Sequence, residues 1–192
     1  GKSYFGKMLG YLLSNQMVSG TPARDRFIHR LAGVKDEQFL VNEIGKLDAH
    51  PSHLVFLDIA KQSTKQGLAF TLFRNFLHSL GFLPNLYGYY EYQLFLEGEY
   101  KTFCQKVQEQ EVETWQQLKK KSMKVPQVLK KALTGWKYSP EEYEETRIYL
   151  EKQIESFDAA ILRTELSNYL EQYPDKTIVF IFDEASEAIA QK

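Results

Sequence analysis

The sequence predicts an α/β protein with a parallel β-sheet, because two short apolar segments have the composition of strands buried on both faces. One runs from Ile178 to Phe182 and the other from His53 to Ile59. The second is followed by a helical pattern that stops at Gly81. A strand followed by a helix is the repeating unit of a doubly wound parallel sheet.

Two carboxylates, Asp183 and Glu184, follow the strand near the end of the chain. An isolated carboxylate is costly inside a sheet, whereas the carboxyl ends of parallel strands are where α/β proteins bind ligands. We therefore expect Asp183 to hold Mg²⁺ and Glu184 to be the catalytic residue that aligns or deprotonates an attacking water. The alternative is that both residues only cap a helix that begins near Ala185.

The first three residues, Gly1, Lys2 and Ser3, stand directly before an apolar-periodic helix that we expect to end near Asn15. Gly-Lys-Ser closes the Walker A loop of nucleotidases, which holds phosphates at a helix N-terminus and places a hydroxyl on Mg²⁺. We therefore predict ATP binding by Gly1, Lys2 and Ser3, with Ser3 and Asp183 as Mg²⁺ ligands. The glycine-rich half of this motif and an initiating Met are not in the sequence, so we expect an internal fragment of a larger protein.

Together these motifs predict an α/β P-loop NTPase of the AAA or ASCE-like type: a parallel-sheet fragment with a long all-helical insertion. Residues 1–83 would be the N-terminal part of the ATPase core, residues 84–173 the insertion, and residues 174–192 the return to the core with the Walker B strand. The helices predicted in the insertion are Tyr89 to Glu97, Glu99 to Gln110, Thr114 to Lys121, Pro126 to Leu133 and Pro140 to Tyr169. Ser139 is expected to cap the last of them.

Composition narrows the class of protein. With 24 basic and 25 acidic residues, the chain does not coat nucleic acid through its overall charge. A local basic cluster is either a patch that contacts DNA phosphates or a solvated helix face. It comprises Lys119, Lys120, Lys121, Lys124, Lys130 and Lys131, with Trp115 and Trp136 on either side. The single cysteine, Cys104, excludes an internal disulfide and fits a reducing cytoplasm. No apolar run is long enough to suggest a membrane span.

In the order and spacing of its segments, the whole chain resembles the large P-loop ATPase of BREX bacteriophage-defence systems, BrxC-like. The segments that carry the resemblance are Gly-Lys-Ser-Tyr-Phe-Gly-Lys-Met-Leu-Gly-Tyr-Leu-Leu, Leu-Val-Phe-Leu-Asp-Ile-Ala-Lys-Gln-Ser before a helix, and Ile-Val-Phe-Ile-Phe-Asp-Glu. After Asp-Glu the chain departs from the family, since Ala185, Ser186 and Glu187 replace Val-Gly-Gln. The resemblance implies the ATPase core of a larger bacterial protein that acts with other BREX proteins to block phage DNA replication, with homo-oligomers among its expected assemblies.

Two other functions stay open on the sequence. The first is another P-loop ATPase, in signalling or in DNA translocation. The second is a non-catalytic module, in which the helical region from Pro84 to Tyr173 binds a protein or DNA and the two half-motifs are coincidental. The codons just upstream of Gly1 distinguish the enzyme from the binding module, because an ATPase should encode a glycine-rich turn there after an apolar strand.

Overall fold

The computed structural model describes residues 2–49, 51–58 and 65–183, with Lys2 and Ser3 described through their backbone. The chain divides into two compact units, Gly1–Gln62 with Leu170–Lys192 (unit 1) and Ser63–Tyr169 (unit 2). The predicted domain boundaries at 83/84 and 173/174 stay a prediction. Within the described ranges, no helix combines the length and apolar character needed to cross a membrane.

The helices are α1 (Lys2–Ser14), α2 (Ala23–Leu31), α3 (Glu37–Lys46), α4 (Gly67–Ser79), α5 (Leu86–Leu96), α6 (Tyr100–Gln110), α7 (Trp115–Leu118), α8 (Val125–Thr134), α9 (Pro140–Glu155) and α10 (Ala159–Gln172). A 3₁₀ turn, Leu47–Ala49, follows α3. The strands are β1 (Met17–Val18), β2 (Thr21–Pro22), β3 (Ser52–Asp58) and β4 (Thr177–Asp183).

The predicted fold class, an α/β P-loop NTPase with a parallel sheet and an all-helical insertion, is wrong for the part of the chain that the structure describes. There, β3 and β4 form a two-stranded parallel sheet, β1 and β2 form a two-stranded antiparallel one, and the other elements are helical. Only two segments have the composition of long strands, and they pair with each other. β4 is also only partly covered, with Phe182 44 % exposed, so it is not buried on both faces as a strand of an extended parallel sheet would be.

Several predicted elements are confirmed. The two predicted strands are β3 and β4, and α1 ends at Ser14, next to the expected Asn15. Gly81, predicted to stop a helix, follows α4 with a φ of +83°, a conformation without steric cost only for glycine. Ser139 caps α9 as predicted, because its Oγ accepts a hydrogen bond from the Glu142 N–H while the Glu142 carboxylate accepts one from the Ser139 N–H.

The helix predicted from Pro140 to Tyr169 is instead two helices, α9 and α10. The second one starts directly after Asp158, whose Oδ1 accepts hydrogen bonds from the backbone N–H groups of Ala160 and Ile161 at 2.9 Å each. An aspartate in this position satisfies amides that have no intrahelical partner, and therefore favours a new helix over continuation of the old one. Phe157 beside it is buried in the core of unit 2.

Aromatic rings form the core of unit 2. The Phe73 ring lies 4.9 Å from the Phe157 ring in a stacked arrangement, and contacts Tyr89 and Tyr92 edge-on at 5.0 and 5.5 Å between centroids. All four side chains are buried. Each such pair contributes about 0.5–1.5 kcal/mol beyond the burial of its apolar area, so this cluster fixes α4 and α5 against the segment between α9 and α10.

The loop between α4 and α5 is held against α5 at Leu83. The backbone N–H of Leu83 donates to Glu91 Oε2 at 2.8 Å. Its carbonyl lies so close to Gly88 that a Cβ added at Gly88 would stand 1.6 Å from the Leu83 oxygen. Glycine is therefore required at this position by the close approach of two backbone segments.

Glu91 is a fully buried carboxylate surrounded by donors. Its Oε1 accepts hydrogen bonds from Tyr100 OH at 2.9 Å, Trp115 Nε1 at 2.7 Å and Lys119 Nζ at 3.1 Å, in addition to the Leu83 N–H on Oε2. The Lys119 side chain is only 8 % exposed. We call these five residues the Glu91 network; it neutralises a buried charge and joins α5, α6 and α7.

A second buried carboxylate, Glu165 of α10, is 8 % exposed and accepts a hydrogen bond from Tyr89 OH. Burial raises the pKa of the Glu165 carboxyl, and the hydrogen bonds from Tyr89 and Asn168 oppose this rise only in part. Because the folded-state pKa lies above the unfolded-state value, Glu165 favours folding at pH values below the unfolded pKa. That contribution is lost as the pH rises through the folded pKa.

Glu165→Gln is therefore expected to stabilise unit 2 at pH 8 by about 1 kcal/mol or more, because it removes a buried charge and keeps an oxygen for Tyr89. The gain should shrink towards zero as the pH is lowered to 4. Urea unfolding of the whole chain at several pH values measures it. Glu145→Gln, an exposed position on α9, is the matched control; an equal gain there at every pH would contradict the interpretation of Glu165.

Candidate active site

The two strands of the parallel sheet end at the same level, each on an aspartate. The pairing runs in register from Ser52 opposite Thr177 to Asp58 opposite Asp183. Both aspartates are half-buried and occupy the carboxyl edge of the sheet. Asp58 was not predicted as a site residue, although it ends an apolar strand in the same way as Asp183, which is the signal that could have identified it.

Helix α1 packs against both strands and runs antiparallel to them. A Cβ added at Gly10 would stand 2.8 Å from Leu54 Cδ2 and 3.3 Å from Ile181 Cδ1, whereas one added at Gly6 would meet Ile181 Cγ2 at 3.5 Å. Ile181 pairs with Phe56, which follows Leu54 along β3, so Leu54 lies farther from the carboxyl edge of the sheet than Ile181 does. Moving towards the start of α1 therefore moves towards the carboxyl edge, and the helix N-terminus points to the side of the sheet that carries the two aspartates.

Arg24 anchors the other end of α1. Its guanidinium is buried and donates to the carbonyl oxygens of Leu12 at 2.8 Å and Leu13 at 2.9 Å, and it forms an ion pair with Asp48. The last carbonyls of a helix have no intrahelical donor and carry the negative end of its dipole, so a buried cation there is favourable. The Arg24 side chain thus joins α1 to the turn that precedes β3.

The structure places the predicted site residues only in part. Asp183 is the last residue of β4 and lies level with Asp58. Lys2 and Ser3 begin α1, but their side chains are outside the description, and Gly1 and Glu184 lie outside the described residues. Asp183, the predicted metal ligand, therefore lies at the edge of the sheet to which the N-terminus of the predicted phosphate-binding helix points.

The carboxyl edge offers a metal ion two carboxylates. Among the described residues there is no group of three or more His, Cys, Asp or Glu side chains that could hold a metal ion. A closed protein cage for zinc or calcium is thus not formed by this part of the chain. Magnesium needs fewer protein ligands, because it keeps several waters and is commonly held by one or two carboxylates together with substrate phosphates. The donor set of Asp58 and Asp183 fits that requirement.

Lysines of the cluster that was predicted to be a DNA patch or a solvated face form ion pairs with glutamates. Lys119 is directed inward to Glu91, and Lys121 forms an ion pair with Glu113 at 2.7 Å. A lysine that neutralises a buried glutamate is not available to a phosphate, and one paired on the surface has part of its charge compensated. DNA contact through Lys119, Lys120 and Lys121 stays a prediction, and this geometry gives it no support.

Comparison with known proteins adds no relative to this picture. No protein-family model matches the chain, and neither a curated protein nor a solved structure does. What the chain does must therefore be argued from the edge of the parallel sheet and from the direction of α1.

Proposed function

We propose that the chain contributes a Mg²⁺-dependent ATP-hydrolysing site at the carboxyl edge of β3 and β4. The observation that supports it best is the direction of α1, whose N-terminus points to the edge where Asp58 and Asp183 end. A helix N-terminus favours phosphate through its free amides and its dipole, and the carboxylates favour Mg²⁺. One edge thus combines the two interactions that Mg-ATP requires.

The proposed roles follow the sequence motifs. Lys2 binds the terminal phosphates of ATP, and Ser3 and Asp183 hold Mg²⁺, with Asp58 as a second carboxylate at the same edge. Bound Mg²⁺ would neutralise the negative charge of the phosphate oxygens. Glu184 aligns the attacking water and accepts its proton. The extended sheet that we had predicted around these residues is not needed for any of these roles.

The setting that we propose is a BREX phage-defence system, in which this protein acts with other BREX proteins and with further copies of itself. A signalling or DNA-translocating ATPase is the alternative. Neighbouring genes distinguish them, because a BREX protein should be encoded beside a DNA methyltransferase and a phosphatase-like protein. A binding module without catalysis would leave Lys2 and Asp183 without a role in nucleotide binding.

ATP binding and turnover by the whole protein that contains this chain test the proposal. Lys2→Ala is expected to abolish binding of ATP. Asp183→Asn should remove the dependence of binding on Mg²⁺, since it removes a ligand of the ion. Glu184→Gln should retain bound ATP and lower turnover by about 10²–10⁴-fold, the usual contribution of a general base. Equilibrium dialysis and phosphate release measure the two steps separately.

Lys35→Ala is the matched control, because Lys35 is an exposed lysine of unit 1 outside the proposed site. It should bind and hydrolyse ATP like the unchanged protein. Normal turnover in Lys2→Ala and Glu184→Gln would overturn the assignment of the site. Absence of any ATP binding by the unchanged protein would overturn the function itself.

A further inference from the structure

A second concave site lies in unit 1, between α1 and α2. Its volume is about 240 Å³, and its lining is mainly apolar. The aromatic residues that line it are Tyr4, Tyr11 and Phe27, and the charged ones are Lys7, Arg26 and Arg30. It is distinct from the edge where β3 and β4 end, because it uses a different face of α1.

The helical spacing explains why these residues converge. Tyr4, Lys7 and Tyr11 are three or four residues apart, and therefore share one face of α1. At 100° per residue the centre of this face lies about 110° around the helix from Gly6 and Gly10, which contact the sheet. Residues of α2 at the same kind of spacing form the opposite wall. The pocket is thus the space left between these side chains of α1 and the facing side chains of α2.

The charged residues that line the pocket are all basic. Lys7, Arg26 and Arg30 all line it, and none of the described residues that line it is acidic. Arg26 Nη1 donates to the Val18 carbonyl oxygen at 3.0 Å, which fixes its guanidinium at the wall. Three cations around an apolar space favour a ligand that carries both a negative group and an apolar body.

The aromatic side chains indicate the shape of that body. Tyr4 is 65 % exposed and Tyr11 44 %, so both keep ring surface open to a ligand. Flat rings pack favourably against other rings, and the volume suits one small ring system more closely than a peptide or a lipid chain.

We propose that this pocket binds a small aromatic anion, with its ring between Tyr4, Tyr11 and Phe27 and its phosphate or carboxylate on Lys7, Arg26 and Arg30. The ligand chemistry is the same for a nucleoside monophosphate and for an aromatic carboxylic acid. Neither Mg²⁺ nor the aspartates of the sheet edge take part. This binding is therefore separable from the ATP site proposed above.

Calorimetric titration of the whole protein in EDTA tests the proposal, with AMP and 2-naphthoate as probes. At least one should bind, and the one that does identifies the source of the ring. Uncharged 2-naphthylmethanol and inorganic phosphate should bind at least about tenfold more weakly, because each lacks one half of the required chemistry.

Charge reversal in the pocket supplies the decisive comparison. Arg30→Glu should weaken binding of the probe about tenfold or more, and Lys35→Glu, which makes the same change of charge at an exposed site outside the pocket, should not. Arg30 is itself exposed, so circular dichroism should show an unchanged fold. Binding of neither probe, equal binding of 2-naphthylmethanol, or an equal loss in both variants would overturn the proposal.

Discussion

Gly88→Ala is expected to destabilise unit 2 by about 3 kcal/mol. In most helices the same substitution stabilises by about 1 kcal/mol, because alanine loses less backbone entropy on folding. At Gly88 the added methyl group would stand 1.6 Å from the oxygen and 2.5 Å from the carbonyl carbon of Leu83. These are backbone atoms that no rotamer change can move. α5 must therefore separate from the loop, which also breaks the hydrogen bond from Leu83 to Glu91.

Urea unfolding followed by tryptophan fluorescence measures this loss, because both tryptophans, Trp115 and Trp136, belong to unit 2. Gly45→Ala in α3 is the control. An added Cβ at Gly45 has nothing within 4 Å, so this substitution should stabilise unit 1 by about 0.5–1 kcal/mol in thermal unfolding followed by circular dichroism. A stabilising effect of Gly88→Ala would contradict the close approach of Leu83.

Glu91→Ala is expected to cost about 3–5 kcal/mol, the usual effect of breaking a buried ion pair on one side. The substitution leaves the buried ammonium group of Lys119 without its carboxylate, and removes the acceptor from Tyr100 and Trp115. Each buried donor without an acceptor adds a desolvation cost of its own. Urea unfolding of the whole chain gives the change in the free energy of unfolding.

Glu113→Ala is the matched control for Glu91→Ala. Glu113 also pairs with a lysine, Lys121, but both side chains are substantially exposed, and such solvated pairs contribute little to stability. Glu91→Gln should fall between the two, since it keeps an acceptor for Trp115 and removes the charge. A loss below about 1 kcal/mol in Glu91→Ala would show that the network does not hold α5, α6 and α7 together.

Local composition was enough to predict β3 and β4, because a run of β-branched and aromatic residues favours a strand wherever it lies in the chain. It was not enough to predict the fold class. An apolar run has the same sequence whether one face is covered or two, and only the packed structure shows that Phe182 stays 44 % exposed. An extended parallel sheet would need further strands beside β3 and β4, and the described residues contain none that pair with them.

The candidate site was predictable to a similar degree. Asp183 was identified from its place after an apolar strand, and the same reasoning applied to Asp58 would have found the second carboxylate. Their register could not be predicted, because strand pairing across a long insertion depends on tertiary contacts. Glu91 was also missed. It lies in a helix that is apolar on all sides, a pattern typical of burial, and a glutamate in such a helix requires internal donors.

The connection between β3 and β4 has a consequence for the order of folding. The two strands are parallel neighbours, yet all of unit 2 lies between them in the chain. If that segment were a flexible loop, pairing would require closing a very long loop and would be slow. Once unit 2 has folded, most of that entropy is already lost, so pairing of the two strands costs less. We therefore expect the two aspartates to come side by side only after unit 2, which contains neither of them, has folded.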